Sequence, residues 1–169
     1  MSIEDEIAWR VSEHRLFPLL PRAAGSAPRR ALLLAEDIWS VLSTEHDDPD
    51  MEDRMGFLQA DLELFADGQP IDPKYLFLLY PGSDCVWEIR SVRPNPSIRV
   101  LGLFAAKNVF IATNMVLRET LGGWQSRGWK DVKRMARARW TQLFHSYQPL
   151  SSNRVSDLVT GAINGKYFK

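Results

Sequence analysis

Three arginines, Arg90, Arg99 and Arg118, stand in or beside segments that read as strands, and could gather on one side of a small sheet. Guanidinium groups bind phosphate through paired donors and stabilise negative charge that develops on it. Arg99 is the most informative of the three, because residues 98–105 are otherwise apolar on both faces. A charge in such a strand must reach an edge, pair with an acid, or serve a ligand. Three roles stay open for it: an ion pair with Glu88 or Asp61 that ties sheet to helix, phosphate binding, or a direct part in catalysis. No residue stands out as a general base.

A second basic group follows at Arg127, Lys130, Lys133, Arg134 and Arg137. Its spacing places much of it on one face of a helix over 129–144, while Trp129, Val132, Ala136, Trp140 and Leu143 take the other. This basic face could bind nucleic acid, bind acidic protein, or only solvate an amphipathic helix. Nucleic-acid binding needs charges along a phosphate track and accessible aromatic rings. Trp129 and Trp140 belong to the core side, so Trp124 is the candidate stacking residue.

These cations belong to one half of a divided chain. Residues 1–88 carry 18 acidic and 7 basic side chains, whereas residues 89–169 carry 3 and 14. The division points to nucleic acid, to an acidic partner, or to one half of the molecule neutralising the other. At 169 residues and 45% hydrophobic content, a single domain with a substantial core is expected. No apolar run is long enough to span a membrane. The acidic start, Glu4-Asp5-Glu6, argues against a secretory signal, and a cytoplasmic location is expected. Cys85 is the one cysteine, and His14, His46 and His145 are scattered. Neither a metal site nor a cofactor is expected from them.

The elements that must position these side chains follow from periodicity. Helices are predicted over 3–17, over 28–42 with Pro28 in the first turn, and up to a glycine cap at Gly68, with the acidic run 46–53 either a solvated link or the first turn of that third helix. Residues 22–30 read as a loop. The period then changes. Residues 75–80 read as an apolar stretch ended by a turn at Pro81-Gly82-Ser83-Asp84, and 86–92, 98–105 and 109–116 read as strands, with a hairpin at Lys107-Asn108. The last three strands imply an antiparallel meander. Residues 120–128 form a glycine-containing loop before the last helix, and 155–163 are offered as a short helix.

The order helix, three strands, helix over about 50–145 carries quotable motifs. Residues 62–79 run through Gly68 to a leucine-rich approach. Trp87-Glu88-Ile89-Arg90, then Ile98-Arg99-Val100-Leu101, then residues 109–116 follow. This arrangement resembles the phage-derived, toxin-like branch of the RelE/ParE toxin superfamily. In that resemblance Glu88 and Arg90 match the family's Glu-x-Arg positions, Arg99 matches the arginine of its central strand, and Arg118 falls near its terminal basic pair. The resemblance implies messenger-RNA cleavage without a metal, often on the ribosome, and a neutralising antitoxin. It implies catalytic roles for Arg99, Arg118 and Arg90. The family's two lysines after the last strand are replaced by Leu117-Arg118-Glu119. The alternative expectation is therefore a catalytically inactive interaction module of phage or bacterial origin.

Together these readings predict an α+β protein. A helical extension over 1–55 packs on a small antiparallel sheet in a toxin-like core over 56–147, and a long basic helix closes it.

Overall fold

The computed structural model describes residues 1–20 and 29–162. Most of the expected loop at 22–30, the expected helix start at Pro28, and Ile163 lie outside the described residues.

The fold is α+β. Strands β1 (Leu16–Pro18), β2 (Ala31–Ala35), β3 (Leu76–Leu78), β4 (Trp87–Ser91), β5 (Ile98–Ala106) and β6 (Val109–Leu117) form one sheet, ordered β1-β2-β6-β5-β4-β3. Helices α1 (Ile3–Ser12), α2 (Glu36–Ser43), α3 (Pro49–Ala66) and α4 (Arg127–Leu143) cover it. Strands β4, β5 and β6 make the expected antiparallel meander. The β5–β6 hairpin turns at Asn108, whose φ of 64° suits the short polar side chain of asparagine.

The N-terminal segment brings α1 and α2, and it also brings two strands. The expected helix over 28–42 is a strand followed by a helix: β2 runs parallel to β6, and α2 begins only at Glu36. The reason lies in Leu32-Leu33-Leu34. A short apolar run fits a helical stripe or a strand buried on both faces. Here Leu32 and Leu34 enter one core and Leu33 the other. The first helix likewise stops at Ser12, and Leu16–Pro18 joins the sheet as an edge strand that ends on a proline. Of the helix offered at 155–163, the described part holds one short 3-10 turn, Val155–Asp157.

Two cores result, one on each face. On the first, Leu58, Leu62 and Phe65 of α3 pack on Trp87, Ile89, Phe104 and Phe110. On the second, Trp129, Ala136, Trp140 and Leu143 of α4 pack on Leu101, Leu103 and Ile111. That double covering explains why β5 is apolar on both faces. It also needs Gly102. The β5–β6 register shifts there, and a Cβ on Gly102 would stand 2.2 Å from the Ile111 carbonyl oxygen.

Candidate functional site

Strand alternation sorts β4. Trp87, Ile89 and Ser91 face α3, while Glu88 and Arg90 face the α4 side. Arg90 and Arg99 are Cα partners across β4 and β5, so Arg99 shares that face. Arg118 arrives from the 3-10 turn Arg118–Thr120 that follows β6, and Lys133 from α4. These four cations line one cleft of about 210 Å³, together with Glu88, Phe77, Tyr80, Trp124, Gln125 and Trp129. Among the described residues, Glu88 is the one carboxylate on its wall.

Each cation is held by a nameable contact. Arg90 donates from Nε to Glu88 Oε1 at 2.8 Å, and its guanidinium lies 4.5 Å from the Phe77 ring centroid. Arg99 donates from Nη1 to Ser97 Oγ at 2.7 Å. Its Nε is 3.6 Å from Glu88 Oε2, an ion pair too long for a hydrogen bond. Arg118 donates to the Gly122 carbonyl at 2.9 Å and sits 5.5 Å from the Trp129 ring centroid. Lys133 donates from Nζ to the Tyr80 carbonyl. Tyr80 and Trp124 meet edge to face, with centroids 5.8 Å apart.

The electrostatics favour an added anion. Burial pushes the Arg99 guanidinium down from its ordinary pKa. Glu88 pulls it back up, while Arg90 and Arg118 push it down again. Burial also lowers Lys133, with Asp84 opposing and Lys130 reinforcing. Arg99 Nε and Trp129 Nε1 are buried donors with no hydrogen-bond partner among the described residues. A buried donor without an acceptor costs about 1–3 kcal/mol, and a ligand oxygen would satisfy one.

Of the three roles offered to Arg99, the ion pair is formed, and its partner is Glu88 rather than Asp61. Asp61 lies on the other face, where it accepts from Ser91 Oγ at 2.6 Å. There Arg54 of α3 is buried and donates to the carbonyls of Ser91 and Pro96, each at 2.7 Å. Arg54 thus ties helix to sheet at the β4–β5 connection and fixes the strand ends from which Arg90 and Arg99 project. Burial lowers its pKa, with Asp61 opposing. Nothing in its sequence context marks this role, because an arginine within an acidic helix resembles any surface residue.

The basic residues of α4 divide. Lys130, Lys133, Arg134 and Arg137 line a second, more open cavity of about 500 Å³, with Tyr80, Pro81, Asp84 and Gln125. Arg127 lines neither cavity, and its side chain is 96% exposed beside Asp131. Trp124 is 55% exposed and lines the cleft. Trp129 is buried as expected, yet its ring also forms part of the cleft wall. Tyr80 and Gln125 were missed: one reads as the end of an apolar stretch before Pro81, the other as a loop residue. Glu119 is exposed and does not line the cleft.

No protein-family model, curated protein or solved structure matches the chain. Among the described residues, no cluster of His, Cys, Asp and Glu could hold a metal ion. No described helix is long and apolar enough to cross a membrane.

Proposed function

We propose that this is an RNA-interacting protein whose cleft seats a phosphodiester among Arg90, Arg99, Arg118 and Lys133. One observation carries the reading: among the described residues, four cations from β4, β5, the β6 exit and α4 converge on one cavity with a single carboxylate. Tyr80 and Trp124 add aromatic surface at the same cavity, which suits a nucleic-acid base better than a small inorganic anion.

The reaction class that fits such a cleft is metal-independent transesterification, as the resemblance to the RelE/ParE toxins implies. The ribose 2′-oxygen would attack phosphorus, and the 5′-oxygen would leave with a proton. The products would be a 2′,3′-cyclic phosphate and a 5′-hydroxyl. Arginines would stabilise charge on the phosphoryl oxygens in the transition state. Lys133, its proton affinity lowered by burial, is the cleft cation best suited to exchanging a proton. A ribosome and an antitoxin protein are the partners this reading brings with it.

The second reading is a catalytically inactive protein-interaction module. Glu88 favours it, since its carboxylate already engages both Arg90 and Arg99. The deciding experiment incubates the purified chain with RNA, alone and with ribosomes, in excess EDTA, and analyses the product ends. Cyclic phosphate that is lost in Arg99→Ala supports cleavage. Tight, salt-sensitive binding that leaves the RNA intact supports RNA interaction without cleavage. Absence of both binding and cleavage would sink the RNA reading in favour of the protein-interaction module.

A further inference from the structure

We infer that the ligand is a single-stranded RNA segment spanning two adjoining sites, with a base seated between them, rather than an isolated nucleotide. The inference rests on the RNA reading above and extends it along α4.

The observation is the continuity of two cavities. The cleft and the more open groove share Tyr80, Gln125 and Lys133 as common wall. Lys133 Nζ is fixed on the Tyr80 carbonyl at that boundary. A chain leaving the cleft over Tyr80 therefore meets Lys130, Arg134 and Arg137 next. The boundary is also where the aromatic surface lies. Tyr80 is 50% exposed and edge-to-face with Trp124. Such a pair supports one stacked base, because every base has a π-face, and stacking tolerates sequence variation. In a single strand one base hangs from the ribose between each two successive phosphates, and the cleft, the Tyr80–Trp124 pair and the groove present complements to phosphate, base and phosphate in that order.

The charge arrangement on α4 agrees. The helix N-terminus carries positive partial charge, so acids stabilise it and cations do not. The first turn of α4 has no acid, and Arg127 and Lys130 stand near its start. These cations weaken the helix slightly and strengthen the field over the groove. Asp84 and Asp131 oppose it through ion pairs to Arg137 and Arg134, at 3.0 and 3.2 Å. Lys130 and Lys133 have no carboxylate within ion-pair distance among the described residues. An acidic peptide would use the same cations but would not need the aromatic pair, so a nucleic acid is the better fit.

The test compares a nucleoside 3′-phosphate with a hexaribonucleotide on the full chain, by calorimetry across a salt series. The hexanucleotide should bind at least about tenfold tighter, with a log–log salt slope steeper by about 0.7 for each further phosphate engaged. Lys130→Ala combined with Arg134→Ala should weaken the hexanucleotide by about tenfold, the scale of one or two charge-assisted contacts. It should leave the nucleoside phosphate unchanged, whereas Arg99→Ala should weaken both. Both substituted residues are exposed, so circular dichroism should show an intact fold. Equal affinity and equal slope for the two ligands would overturn the two-site ligand and leave the RNA reading standing. Binding of neither ligand would overturn both. Polyglutamate competing as well as the hexanucleotide would overturn the inference in favour of an acidic protein.

Discussion

Arg90 and Arg99 lie directly opposite one another on adjacent antiparallel strands, and the Glu88 carboxylate reaches both, at 2.8 and 3.6 Å. Like charges in that position repel. Glu88, whose side chain is 3% exposed, offsets the repulsion from beneath. The pair is therefore held together by one buried anion, while the cleft above it presents a net positive surface. The arrangement is a local conflict at a defined place, which is where a binding site is to be looked for.

Glu88→Gln tests that arrangement directly. The amide keeps the shape and removes the counter-charge, leaving two half-buried guanidiniums without compensation. Urea unfolding should show a loss of about 3–5 kcal/mol, the usual cost of breaking a buried pair from one side. Inorganic phosphate should restore more stability to this variant than to the wild type, because an anion that binds only the folded form stabilises it by mass action. A loss below about 1 kcal/mol would show that Glu88 is not what holds the arginines.

Arg99→Ala and Arg118→Ala address activity. If the cleft cleaves RNA, each should slow the reaction by about 100-fold, or roughly 2.7 kcal/mol of barrier. Arg99→Lys should recover only part of the loss, since an ammonium cannot reproduce the forked donor geometry. Single-turnover rates on ribosomes, with folding checked in parallel, distinguish this from simple unfolding. Rates within a few-fold of wild type would remove the arginines from the mechanism.

Trp140→Ala tests the α4 packing. Trp140 is 3% exposed, packs tilted against Phe144 with ring centroids 4.7 Å apart, and donates to the Tyr147 carbonyl at 2.9 Å. Loss of its ring should leave a cavity and cost about 3–5 kcal/mol. A denaturant titration with an unchanged m-value and a lower midpoint would be the expected signature.

What was legible in the sequence was the part with a clear period. The meander, the Gly68 helix end and the two faces of α4 follow from alternation, glycine and the helical stripe. Strand β2 was not legible, since Leu32-Leu33-Leu34 satisfies both periods and its partner β6 is far away in sequence. The site was half legible. Arg99 declared itself as a charge in an apolar strand, and Arg90 and Arg118 followed from their context. Tyr80, Gln125 and Arg54 gave no signal, because their roles come from tertiary placement. The charge division was visible, but its use was not. Arg137–Asp84 and Arg139–Asp37 bridge the two halves, while the cleft cations remain in excess.

Alkaline pH should report on Tyr75. Burial is the main cause that raises its phenol above the ordinary value of 10, with Asp61 adding to the rise and Arg30 opposing it. The folded state therefore holds its proton more tightly than the unfolded chain. Its contribution to stability is full below pH 10 and is lost as pH rises above that value. Absorbance at 295 nm should show one tyrosine that ionises only with unfolding. Tyr75→Phe should remove that phase, at the cost of the hydrogen bond to the Asp61 carbonyl seen at 2.7 Å.

Asp84→Asn should strengthen RNA binding, the opposite sign to the other substitutions. Asp84 pairs with Arg137 at 3.0 Å on the wall of the groove, and it is the acid that raises the Lys133 pKa. Removing its charge releases Arg137 for phosphate and takes an anion out of the track. The pair is partly solvent-exposed, so stability should change by less than about 1 kcal/mol. Affinity for a single-stranded hexanucleotide at low salt should rise several-fold, and the gain should shrink as salt screens it. The salt slope should steepen by up to about 0.7 if Arg137 takes up one further phosphate. An unchanged affinity would mean that RNA does not pass over the Asp84 side of α4. A weakened one would mean that Asp84 orients Arg137 for the ligand rather than competing with it.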